Sequence, residues 1–241
     1  MHTKFIATAF LLLSVAACLT PFAYAQKQTD IAGSVYGAFN GTTSVYSEIQ
    51  SPSNSAGAML EFRHIHNSLV GFEATYSYSR ASQKYSDASP TYPPCPPPGG
   101  CLSYTLPATV SANANALTGD WVISRTADKV RPFALAGGGV LLVTPSAHSG
   151  GGYMFVRPNG PTSTFGPTGQ NLTSTATEFL FVFGGGLDWK LSQRIGIRMQ
   201  YRYTTYKAPM LATTNLYTGG SASSNHYTHS QQPALGIYYR F

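Results

Sequence analysis

Apolar and polar residues alternate with a period of two over much of this chain. In 68–80, Val70, Phe72, Ala74, Tyr76 and Tyr78 share one face, opposite Gly71, Glu73, Thr75 and Ser77. In 194–206, Ile195, Ile197, Met199, Tyr201 and Tyr203 oppose Gly196, Arg198, Gln200 and Arg202. Phe179, Phe181, Phe183, Leu187 and Trp189 line one side of 175–190, with Glu178 and Asp188 on the other. This period sends successive side chains to opposite faces of a β-strand. The same pattern, bounded by turn-forming residues, predicts strands over 30–40, 56–66, 109–125, 131–144 and 227–241. Alternation is weaker in 30–40 and 131–144, where Gly33, Gly37 and Gly137-Gly138-Gly139 are expected to mark bulges or sharp curvature.

The connections are sorted by length. His66-Asn67-Ser68, Thr126–Val130 and Leu191-Ser192-Gln193 read as short turns. The other connections run to about 15, 30, 30 and 20 residues, far beyond the usual few. Each strand reaches the ~9–11 residues that a tilted strand needs to cross a bilayer. Short turns on one side and long loops on the other characterise a transmembrane barrel. The expected fold is therefore all-β: a closed, antiparallel, up-and-down transmembrane barrel of eight strands, with short periplasmic turns and long extracellular loops. Closure is required because lipid cannot satisfy an open strand edge. With both ends periplasmic, Trp121 and Trp189 fall near one interface with Tyr239 and Phe241, and Tyr76, Tyr78, Tyr201 and Tyr203 near the other. These residues would form aromatic girdles. The block Tyr153–Arg157 reads as a short hairpin arm in the third long loop, since two more membrane strands would break the alternation of short and long connections.

Composition supports a membrane setting. Charged residues make up 10% of the chain, whereas a soluble domain carries ~25%. A mean hydropathy of −0.08 excludes a bundle of membrane helices. The formal net charge is +6, but the basic residues are scattered rather than gathered into a stripe, so nucleic acid is not an expected partner. Lys4, the apolar run Phe5–Ala17 and the small-x-small site Ala23-Tyr24-Ala25 read as a cleaved export signal over 1–25. Residues 26–241 would then form the single barrel domain. Val15-Ala16-Ala17-Cys18 also resembles a lipoprotein box, in which Cys18 would be acylated and retained. The Ala-Tyr-Ala site is better formed and the box lacks its usual leucine, which favours cleavage before Gln26. In an exported chain, Cys95 and Cys101 are expected to form a disulfide in the proline-rich second long loop.

The inward strand faces collect Glu61, Arg63, Glu73, Asp120, Glu178, Asp188, Arg198, Arg202 and Arg240. An eight-stranded barrel is just wide enough for its own side chains to fill it. Charges held there must pair, because their desolvation is costly otherwise. A salt-bridged plug is the favoured reading, and a selective pore or proton path the alternative. Carboxylates facing arginines, with poor access, suit a general base badly. In the outer-rim segment Ser224–Ser230, serine and histidine occur without an acid. A lipid-modifying or proteolytic barrel is thus a remote alternative. The pairs His64/His66 and His226/His229 offer too few ligands for a tight zinc site. Gly137–Gly139 and Gly184–Gly186 lack the residues of a phosphate loop. No metal or cofactor is expected.

Leu235, Ile237, Tyr239 and Phe241 share one face of the last strand, which stops on its aromatic residue. This ending resembles the terminal insertion signal of bacterial outer-membrane barrels. With Arg131–Gly139, Gly184–Leu191, Arg198–Arg202 and Ile237–Phe241, the chain resembles the outer-membrane β-barrel domain family, the small porin-like and OmpA/OmpX-like proteins. The resemblance implies an eight-stranded barrel in the outer membrane of a Gram-negative-type bacterium. It implies contact with outer-membrane lipid and insertion by the barrel machinery through the C-terminal strand. It implies no single activity. The chain departs from OmpA in showing no C-terminal peptidoglycan-binding domain, which speaks against anchoring by that route. The expected function is non-enzymatic: surface loops for adhesion, recognition of an extracellular ligand or envelope integrity, with a narrow passive channel as the alternative.

Overall fold

The computed structural model describes residues 28–45, 48–66, 69–87, 102–105, 108–125, 129–150, 153–156, 163–165, 175–209 and 226–241. Eight long strands carry the fold: β1 (Gln28–Asn40), β2 (Ser55–Ile65), β3 (Val70–Asp87), β4 (Ala108–Ser124), β5 (Val130–Gly150), β6 (Ala176–Lys190), β7 (Ile195–Lys207) and β8 (Tyr227–Arg240). Each pairs antiparallel with its neighbours in sequence, and β1 pairs with β8 to close the ring. The closing register sets Asp30 opposite Arg240 and Val35 opposite Leu235. Both described ends of the chain lie at one mouth with the strand ends that the short connections join, and the strand ends that the long connections join lie at the other.

Strand positions agree with the alternation to within a residue or two at most ends. The exceptions are at the loop mouth, where β3 and β5 run to Asp87 and Gly150. Their ladders continue there because β4 starts early enough to pair with both, Ala108 facing Tyr85 and Gly150. A small hairpin, Thr43–Val45 with Glu48–Pro52, adds to the outer end of β3. Tyr153–Val156 does form an arm outside the barrel, pairing with Ser163–Phe165 and with Leu102–Thr105 of the second loop.

Of the two readings expected for the glycines, bulges or sharp curvature, the pairing favours curvature. Among the described pairings of β4 with β5, the register shift lies between Ser111 and Ala112, away from the glycines. A Cβ on Gly139 would strike the Leu117 carbonyl oxygen, and one on Gly184 the Tyr201 carbonyl oxygen. These glycines let the β4–β7 wall curl tightly, and curvature rather than bulging is their role. Burial is inverted relative to a soluble protein. Val35, Trp121, Phe179 and Ile237 are exposed on the outer wall, whereas Glu61, Arg63, Glu73, Asp120 and Arg198 are 0% exposed inside. An apolar belt of this extent is out of place in water and fits lipid.

Candidate functional site: an ion-paired lumen beneath an outer vestibule

Parity along the strands delivers the inward charges, and the closed ring brings them together. Arg198 on β7 is the centre. Its Nε donates to Asp188 Oδ1 at 2.8 Å, its Nη1 to Glu61 Oε2 at 2.8 Å and its Nη2 to Asp30 Oδ1 at 2.7 Å. Arg63 donates to Glu73 Oε2 at 2.7 Å and to Asp188 Oδ2 at 3.0 Å, and its guanidinium lies 4.0 Å from the centroid of the Phe133 ring. Arg202 reaches Glu73 and Asp120 at 3.2 and 2.7 Å, with Thr75 and Thr118 each 2.9 Å away. Arg131 holds Asp188 at 2.7 Å and Asp30 at 3.4 Å. Ser34 and Gln200 donate to Glu61 Oε1 at 2.8 and 2.7 Å.

The result is a girder of ion pairs across the barrel, reaching from β1 and β2 to β6 and β7. Its groups are taken from water, so only mutual pairing and near-complete hydrogen bonding make them tolerable. Paired this way they tie facing strands together and rigidify the wall.

Of the inward charges expected from sequence, Glu61, Arg63, Glu73, Asp120, Asp188, Arg198 and Arg202 meet in this cluster. Glu178 and Arg240 take no part in the ion pairs found among the described residues. Their parity is inward, but they sit at opposite ends of the lumen, Glu178 near Lys207 and Arg240 with its guanidinium 5.5 Å from the Tyr238 ring. Sequence reasoning missed Asp30 and Arg131, although both carry the signal. Asp30 is in phase with the inward Ala32 and Ser34, and Arg131 with Phe133 and Leu135. Weak alternation in these two strands hid them.

The aromatic residues expected to form the girdles face outward. Trp121 packs edge-on against Phe72 at 6.0 Å, and Tyr239 against Phe241 at 5.3 Å, both toward the turn mouth with Trp189. Toward the loop mouth, the Tyr76, Tyr78 and Tyr201 hydroxyls donate to Asn115, Asn113 and Gln231, and Tyr203 stacks on His229 at 5.4 Å. These polar partners on the outer wall mark where the apolar belt gives way to a polar zone. Leu235 and Ile237 lie on the same outer face as Tyr239 and Phe241. His64 Nδ1 lies 2.9 Å from Thr29 Oγ1. Among the described residues there is no group of three or more His, Cys, Asp or Glu placed to hold a metal ion. Cys95 and Cys101, the leader with Cys18, and Ser224 and Asn225 lie outside the described residues.

Above the girder the lumen opens into a vestibule, a cavity of about 100 Å³ that rises from Arg202, Thr75 and Thr118 toward the loop mouth.

A model of the outer membrane protein β-barrel domain matches residues 8–241. No curated protein matches the chain. Among solved structures, the chain is similar to Neisserial surface protein A, at 10% identity and a TM-score of 0.48, covering 88% of this chain and 97% of that one. It is also similar to the outer membrane protein OprG of Pseudomonas aeruginosa, at 11% identity and a TM-score of 0.46, covering 91% and 98%. A third is Ail, the attachment invasion locus protein of Yersinia pestis, at 13% identity and a TM-score of 0.42, covering 91% and 100%.

Proposed function

The chain belongs to the outer membrane protein β-barrel domain family, and on that premise we propose that it is a non-enzymatic surface protein of the Gram-negative outer membrane. Its loops serve adhesion, recognition or envelope integrity, and its barrel serves as the anchor. The observation that carries this reading is Arg198, which holds Asp30, Glu61 and Asp188 together across the lumen. A fully buried, multiply bonded arginine across the lumen speaks against a continuous water path, and this supports leaving function to the surface. The leader 1–25 is removed on export, 26–241 is the working domain, and Leu235, Ile237, Tyr239 and Phe241 form the edge that the insertion machinery reads. Trp121, Trp189, Tyr76, Tyr78, Tyr201 and Tyr203 seat the barrel in lipid.

The test has two arms. Intact protein probed on a glycan array and in pull-downs from host-derived matrix should retain a partner that loop-shortened variants lose. Planar-bilayer recordings should show no reproducible unit steps. Steps that vanish on altering Arg198 or Arg202 would replace this reading with a passive channel.

A further inference from the structure

The vestibule above the girder has two unlike walls. On the side of β4, β5 and β6 it is apolar, lined by Ala112, Ala114, Leu141, Val143 and Leu180. On the side of β1, β2, β3 and β8 it is mixed, with Ser55, Ser79, Gln83, Ser230 and Gln232 set among Tyr36, Ala38, Met59 and Ala81. Two hydroxyls on this mixed wall, Ser55 Oγ and the 2%-exposed Ser230 Oγ, have no hydrogen-bond partner among the described residues. Buried polar groups are normally satisfied, so orphaned hydroxyls on residues that line a cavity have bonding capacity left for a molecule that enters it.

The floor bears no free charge. Both terminal nitrogens of the Arg202 guanidinium are engaged with Glu73, Thr75, Asp120 and Thr118. The mouth is narrowed by Gln83, whose Nε2 donates to Gln50 Oε1 at 3.1 Å and to the Pro209 carbonyl at 3.5 Å. Gln50 is fully buried there, and its own Nε2 is unpartnered among the described residues.

We propose that this vestibule is a binding site for a small, uncharged amphipathic molecule: a slim aliphatic body against Leu141, Val143 and Leu180, and a hydroxyl or carbonyl against Ser230 and Ser55. An apolar pocket with a few convergent polar groups is the ordinary form of a small-molecule site. A charged group is excluded, because the ion pairs on the floor leave it no counter-charge while it would still lose its hydration. Its walls are built from barrel strands, and Gln50 and Pro209, outside the eight strands, border its mouth.

The probe is 1-hexanol, titrated into the full-length protein in lipid nanodiscs with labelled Leu and Val methyls. Saturable shifts are expected at Leu141, Val143 and Leu180, with none at the lipid-facing Leu60 and Leu117. Hexanoate at the same concentrations should give no saturable shift. Ala114→Phe fills the vestibule and should abolish binding while heat-modifiable migration persists. Ser230→Ala keeps the volume and should weaken 1-hexanol about fivefold, the value of one hydrogen bond. Should Ala114→Phe fail to fold, Ser230→Ala carries the test. Non-saturating shifts, shifts shared equally by Leu60 and Leu117, hexanoate binding as tight as hexanol, or full affinity in Ser230→Ala would each overturn the proposal.

Discussion

Removing Arg198 is the sharpest test of the ion-pair network in the lumen. Arg198→Ala deletes its hydrogen bonds to Asp30, Glu61 and Asp188, but the three carboxylates do not suffer equally. Asp188 keeps Arg63 and Arg131, and Asp30 keeps Arg131. Glu61 keeps only the neutral donors Ser34 and Gln200. It becomes a fully buried charge with no cation in contact, the situation that costs about 3–5 kcal/mol when one partner of a buried pair is removed. With a urea slope of about 2 kcal/mol/M, the unfolding midpoint in lipid vesicles should fall by about 2 M. Tryptophan fluorescence and the heat-modifiable gel band report the transition, and both should move together. Adding Glu61→Gln to Arg198→Ala removes the stranded charge while leaving an amide for Ser34 and Gln200 to bond, so much of the loss should return. Glu61→Gln alone should be milder than Arg198→Ala. A midpoint unchanged by Arg198→Ala, or a double variant no more stable than the single one, would refute the claim that the pairing of Glu61 is what makes this charge tolerable.

Val35 lies mid-strand on the outer wall and is 66% exposed, so Val35→Arg should cost about 2–4 kcal/mol in bilayers, while Val35→Leu should leave the midpoint unchanged. Gly184→Val places a Cβ against the Tyr201 carbonyl, so it should prevent β6 from pairing with β7 and abolish the folded gel band, whereas Gly33→Ala, with open space at its Cβ, should fold. Replacing Cys95 and Cys101 by serine should leave insertion intact, since a disulfide closing so short a loop contributes only roughly 2–3 kcal/mol through the unfolded state. Limited proteolysis of that double variant should cleave the second loop faster, and two free thiols in the native protein would contradict the pairing.

Parity along a strand is a local property, and it was legible. The inward placement of Glu73, Asp120, Asp188, Arg198 and Arg202 follows from alternation within single segments. So does the outward placement of Trp121, Trp189 and Tyr201, because a slip of one residue would turn every side chain to the wrong medium. Loop lengths, also local, reveal the up-and-down order. Alternation failed where small residues and glycines dilute it, and Asp30 and Arg131 were missed for that reason.

Which charges touch is a different matter. Arg63 meets Asp188 across a separation of 125 positions, and Arg198 meets Asp30 across 168. Those meetings depend on the level each strand occupies in the closed ring, and that level is set by the stagger of all eight strands together. The same stagger leaves Glu178 and Arg240, correct in parity, at opposite ends of the lumen. It also gathers Leu141, Val143 and Leu180 on one side of the vestibule and Ser55 and Ser230 on the other. No window of sequence contains that arrangement, because it arises only when the first strand pairs with the last.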